Sequence, residues 1–221
     1  MARFLFVRRA VAAVCAAPMF ALAVFAGGGG GGVVVAPTVH DSYLPIDVPG
    51  LTLSNFGVVD GKLFRGDQPK GDEYRQLKAL GVKTVIDLRL DSKKNSRELA
   101  EAAGLIYVNI PIDDSKRPTD QDVVTFMKVL DETDGQAYVH CAGGRHRTGS
   151  IIAVYRMTQN GWNVDQAYQE MLNYDFYTRW GHGGFKDFVF EYYERMQADP
   201  QSVPVACAVP ASMKLQIPAL K

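Results

Sequence analysis

Cysteine is sparse in this chain of 221 residues, which holds only Cys15, Cys141 and Cys207. Three cysteines so differently placed build no disulfide framework. Histidine is nearly as scarce, with four, and no Cys/His set stands at the spacing of a zinc site, so no metal is expected. Neither sign of charge is in excess, since 24 Lys and Arg face 24 Asp and Glu. That balance provides no electrostatic reason to expect nucleic acid as a partner. Internal repeats are missing, and a long uncharged apolar run occurs only near the N-terminus.

That N-terminal run has a recognisable pattern. Residues 1–9 carry Arg3, Arg8 and Arg9, and residues 10–26 are uncharged and apolar, ending in Val24-Phe25-Ala26 before Gly27. A basic segment, an apolar segment and small residues at their end form the pattern of a secretory signal. The expectation for 1–26 is therefore a signal peptide, with a membrane anchor as the alternative. The apolar run of about 17 residues is at the short limit for a span. Either reading makes the protein exported (periplasmic or extracellular) or attached to a membrane through this segment. Residues 27–50, with a glycine run, then Pro37, Pro45 and Pro49, read as a linker. Residues 51–198 read as one catalytic domain, and 199–221, with four prolines, as a tail.

Within the domain one stretch concentrates unusual residues: His140-Cys141-Ala142-Gly143-Gly144-Arg145-His146-Arg147-Thr148-Gly149-Ser150. It follows a short apolar run, 137–139, and opens an apolar run of helical length, 151–157. A strand feeding a glycine loop that becomes a helix N-terminus is an anion site, because loop amides and the helix dipole both favour negative charge. Cys141 and Arg147 stand at the two ends of the loop. In that spacing the backbone of Ala142, Gly143, Gly144, Arg145, His146 and Arg147 can surround one tetrahedral oxyanion. The Cys141 sulfur then sits beneath the phosphorus, and the planar Arg147 fork takes two oxygens, which Lys could not do. Positive surroundings also favour the thiolate, which is the nucleophile. Thr148 can bring a hydroxyl to the sulfur, and His140 can orient the loop backbone. No Lys precedes Ser150, so the glycines do not make a nucleotide-binding loop.

The remaining pattern alternates strands and helices. Residues 56–59 and 62–65 flank Asp60-Gly61 and predict a hairpin. Strands are expected over 82–88, 106–110 and 137–139, with helices between and after them; Thr119 and Asp122 form a capping box. This predicts an α/β fold, a central and mostly parallel sheet flanked by helices, with the catalytic loop between a strand and a helix. Ligands bind at the carboxyl ends of such strands, where the loop after 106–110 also lies. It contains Asp113 and Asp114, and cleavage of a phosphate ester needs a proton donor for the leaving oxygen. Three neighbouring features read more simply. Arg65-Gly66-Asp67-Gln68-Pro69 suits a surface turn, Arg89 an ordinary surface ion pair, and Trp180 packing.

The stretch from His140 to Gly149 resembles the signature H-C-x-x-G-x-x-R-[S/T]-G of cysteine-based protein tyrosine and dual-specificity phosphatases at every fixed position. His146-Arg147 is most similar to the compact atypical dual-specificity group of plants, fungi and bacteria, and Arg65-x-x-Gln68-Pro69 is similar to a run found in that group. The resemblance covers residues 56–196. It implies hydrolysis through a phosphocysteine, with no cofactor and no metal. It also implies a general acid on a movable, proline-flanked loop. Matching Pro111-Ile112-Asp113-Asp114 to the family's Pro-Phe-Asp-Asp-Gly pattern selects Asp114, with Asp113 as the alternative. The implied substrates are proteins carrying phosphotyrosine, phosphoserine or phosphothreonine. Inositol polyphosphates or phosphoinositides are the alternative, with Arg145, His146, Lys116 and Arg117 on the extra phosphates. A non-catalytic phospho-binding module would lack the nucleophile, the arginine or the acid, and this sequence has all three.

Overall fold

The computed structural model describes residues 44–92 and 94–204. The expected signal segment, most of the linker, and the tail beyond residue 204, with Cys15 and Cys207, lie outside them. Five strands, β1 (Gly57–Val58), β2 (Leu63–Gly66), β3 (Val82–Arg89), β4 (Ile106–Ile112) and β5 (Gln136–His140), form one sheet in the order β1-β2-β5-β3-β4. Only β1 and β2 pair antiparallel, across the Asp60-Gly61 turn; the other pairings are parallel. The Asp60 carboxylate accepts from the Lys62 and Leu63 amides and so closes that turn.

Among the described residues six α-helices cover the two faces: α1 (Glu73–Ala79), α2 (Lys94–Ala102), α3 (Asp120–Glu132), α4 (His146–Gln159), α5 (Val164–Asn173) and α6 (Gly183–Ala198). Strand alternation divides the core between those faces. Ile86, Leu88, Ile110, Ile112 and Val139 pack with α3 to α6, while Val85, Tyr107 and Tyr138 pack with α1 and α2. The Thr119–Asp122 capping box starts α3 as expected, and Asn163 with Gln166 makes a second one at α5. Helix α4 lacks a polar face over most of its length; every residue from Arg147 to Met157 is buried. A helix buried all round belongs at the centre, and it places the loop that precedes it against the middle strand of the sheet.

Packing on the core reaches a few residues beyond 51–198 at both ends. Ile46 and Val48, expected in the linker, pack on the second core cluster, and the Ile46 amide donates to the Phe56 carbonyl. At the far end Val203 is buried beside a short 3₁₀ turn, Pro200–Ser202. Apolar burial there outweighs the proline-rich composition that pointed to a tail.

Candidate active site

Cys141 follows directly on β5, the central strand, and the loop 141–145 leads into α4. Residues Asp114, Cys141, Ala142, Gly143, Arg145, His146, Arg147, Tyr177, His182 and Phe185 line a cleft of about 210 Å³ at this end of the sheet. The cysteine and arginine at the two ends of the loop thus face one space.

Burial by itself would push the Cys141 thiol up, but the Arg147 charge, the Thr148 hydroxyl and the Thr148 and Arg145 amides outweigh it and hold the thiol below its ordinary value. Among the described residues Thr148 Oγ1 is buried with no other hydrogen-bond partner, which leaves its proton to the sulfur. Arg147 is itself nearly buried, and its Nη1 donates to the Ile112 carbonyl at 3.2 Å. That bond ties the guanidinium to the end of β4, where the aspartate loop begins. The two ends of the chemistry are joined there.

His140 is fully buried beneath the loop, with Nδ1 2.9 Å from the Cys141 carbonyl oxygen. Burial lowers its pKa to about 4, although Asp87 pulls the other way, so the ring is neutral. Asp87 stands 3.9 Å from Nδ1 and accepts from Arg89 and from the Tyr107 hydroxyl. Arg89 was expected in a surface ion pair. It is instead buried, held by Asp87 and Ser96, because β4 and α2 close over its end of β3. Asp87 gave no signal in the sequence beyond being polar in a buried strand.

The two candidate acids separate clearly. Asp114 lines the cleft. Asp113 turns away: its carboxylate accepts from the Ser115 amide and hydroxyl, at 2.9 and 2.7 Å, and pairs with Lys116. These bonds, the Ser115 amide foremost, keep Asp113 below the usual carboxylate range.

Part of the cleft wall is aromatic, with His146, Tyr177, His182 and Phe185. The His146 ring stacks on His182 at 4.0 Å between centroids, and its Nε2 is 3.0 Å from the Tyr177 carbonyl. Burial and the neighbouring His182 lower the His146 pKa to about 4. The side chain expected on an extra phosphate thus packs in the cleft wall, where its surroundings favour the neutral ring. Trp180, expected to pack, is 78% exposed, with positive φ like the following Gly181. The tight turn throws its ring outward, where it meets the Tyr177 edge and the Arg179 guanidinium. Arg145, Lys116 and Arg117 form exposed ion pairs with Asp175, Asp113 and Glu191. The Arg65–Pro69 run is not a surface turn either, since Arg65 is fully buried and its Nη2 donates to the Gly144 carbonyl.

Comparison with known proteins agrees with this geometry. A family model described as a DSP-PTPase phosphatase fused to NAD+ kinase matches residues 57–179. The dual-specificity protein phosphatase TpbA of Pseudomonas aeruginosa is 30% identical over 127 residues, covering 57% of this chain and 52% of that protein. The inositol diphosphatase DSP4 of Arabidopsis thaliana is 28% identical over 122 residues, covering 52% of this chain and 61% of that one. The chain thus matches about half the length of the first of these relatives. Among solved structures, P. aeruginosa TpbA in complex with pTyr aligns with a TM-score of 0.52 at 26% identity, over 67% of this chain and 83% of that one. The core domain of the PP-IP phosphatase SIW14 from S. cerevisiae aligns at 0.56 and 18% identity, over 69% and 94%, and shares the fold.

Proposed function

This chain belongs to the DSP-PTPase family of dual-specificity and tyrosine phosphatases, and on that footing we propose that it hydrolyses phosphomonoesters through a phosphocysteine. The observation that carries the reading is the Cys141 thiol, held below its ordinary value in a cleft shared with Arg147 and Asp114. The thiolate attacks phosphorus in line as the bond to the leaving oxygen breaks. The loop amides and Arg147 hold the charge on the equatorial oxygens. Asp114 gives its proton to the leaving oxygen and then, as a carboxylate, takes one from the water that cleaves the S–P bond. Charge neutralisation by the arginine and amides asks for no metal or cofactor.

For substrate we place phosphoproteins first, and phosphotyrosine first among them. The wall of Tyr177, His182 and Phe185 suits a flat ring. An inositol phosphate or phosphoinositide is the second reading. The exposed Arg145–Asp175 pair, at 3.2 Å, is of a kind worth under about 1 kcal/mol, so Arg145 can leave it for another phosphate. Turnover across phosphopeptides and inositol phosphates decides between them. The test of the chemistry is Cys141→Ser: a serine hydroxyl stays protonated here, so turnover should vanish while folding and anion binding persist. Wild-type turnover in the purified variant would end the proposal.

A further inference from the structure

Loop amides can point at an anion only if the carbonyls between them point away, and each displaced carbonyl then needs a donor. Three consecutive carbonyls meet that condition here, and all three donors come from one short segment ahead of α1. Ala142 O accepts from the Gln68 amide at 3.2 Å, Gly143 O from Asn55 Nδ2 at 3.0 Å, and Gly144 O from Arg65 Nη2 at 3.0 Å. We propose that Asn55 and Arg65 are positioning residues that clamp the carbonyl side of the anion loop, and that Arg65 also supplies a buried positive charge behind the Cys141 thiolate. This rests on the phosphatase reading and adds to it the device that keeps the loop in its binding shape.

Two observations separate this role from plain scaffolding. Asn55 occupies the left-handed backbone region, φ 55°, which few side chains adopt. From there its amide group reaches both Gly143 O and Tyr174 O. Arg65 is fully buried, and among the described residues its one hydrogen bond is to the loop. Its Nε and Nη1 have no hydrogen-bond acceptor, Glu170 Oε1 is 3.8 Å away, and the Tyr174 ring lies under the guanidinium at 3.7 Å. An arginine buried for stability alone would saturate its donors, since an under-bonded buried charge is costly.

The charge balance points the same way. Burial works against the Arg65 charge, and Glu170 on α5, Tyr174 and the Cys141 thiolate favour it, while Arg156 on α4 opposes it. Glu170 already accepts two hydrogen bonds from Arg156, at 3.0 and 3.2 Å. The Glu170 carboxylate thus lies close against Arg156 at 3.0 Å and farther from Arg65 at 3.8 Å, which leaves the Arg65 charge less fully matched by Glu170. A thiolate or a bound oxyanion on the far side of the loop would add a second counter-charge to Arg65.

The test uses the full chain and two readouts: tungstate affinity, and the pH dependence of Cys141 alkylation by neutral iodoacetamide. Asn55→Gly keeps the backbone conformation and removes the amide; tungstate binding should weaken roughly tenfold. Arg65→Met should weaken it at least as much and raise the thiol pKa by about one unit. Arg65→Lys should weaken tungstate but leave the thiol pKa near wild type, because the charge stays while the reach is lost. If Arg65→Met does not fold, Asn55→Gly and Arg65→Lys carry the test. Variants that bind and ionise like a wild type with an acidic thiol overturn the clamp alone. A wild type that binds no tungstate and has an ordinary thiol overturns the phosphatase reading itself.

Discussion

At the scale of single residues, two adjacent aspartates illustrate how local hydrogen bonding sends like side chains to different places. Asp113 spends its carboxylate on Ser115 and Lys116 and is held ionised, which makes it a poor proton donor. Asp114 faces the cleft that holds Cys141. A general acid matters most for a poor leaving group, since a good one departs without a proton. Asp114→Asn should therefore slow an alkyl phosphate by about 10²–10⁴ and an acidic aryl phosphate far less. Asp113→Asn should change both by a similar, smaller factor through the loop's position. Steady-state kinetics on the pair of substrates checks it, and a leaving-group effect in Asp113→Asn instead would move the acid by one residue.

At the scale of elements, the loop and β2 are fitted to each other through glycine. Gly144 has φ 68°, and a Cβ there would run into the Gly66 carbonyl of β2. Backbone cannot yield as a flexible side chain can. Gly144→Ala should therefore distort the loop and lower kcat/KM by roughly 10² or more, with the circular dichroism of a folded protein. Gly149, inside α4, offers the contrast: its Cβ would meet the Met171 side chain at 3.5 Å, an ordinary contact. Gly149→Ala should keep most activity and leave the melting temperature unchanged or raised. Equal activity losses in the two variants would contradict this account of the β2–loop contact.

At the scale of the whole molecule, one buried and one half-buried histidine bear on acid stability. His140 and His146 both fall from 6.5 to about 4, mainly through burial. Between those values the unfolded chain binds protons that the folded protein refuses. Their contribution is complete above pH 6.5 and is lost as pH falls toward 4. Asp67 opposes this: burial raises it from 3.8 to about 6, so the folded state keeps a proton there that the unfolded chain releases. Two groups outweigh one, and stability should drop by on the order of 2 kcal/mol between pH 6.5 and 4.5. Urea midpoints across that range measure it, and a flat profile would refute it.

The sequence by itself determined the parts whose causes are local. Period and turn chemistry placed the strands, the Asp60-Gly61 hairpin and the Thr119 cap within a residue or two of where they lie. The spacing from Cys141 to Arg147 put one at the start of a short loop and the other in the first turn of the helix it opens, and both line the cleft. Tertiary structure alone decided what depends on partners distant in the chain. Arg65 and Asn55 reach the loop from 79 and 88 residues away, and Arg89 is buried because β4 and α2 close over it. Trp180 points outward because of a backbone turn, which composition does not encode. Hydrogen-bond donors and charge are residue properties, but which carbonyl or thiolate they serve is set by the packing of β2, β5 and α4 against one another. Long-range pairing leaves no period in the sequence, so these roles became legible only in the folded protein.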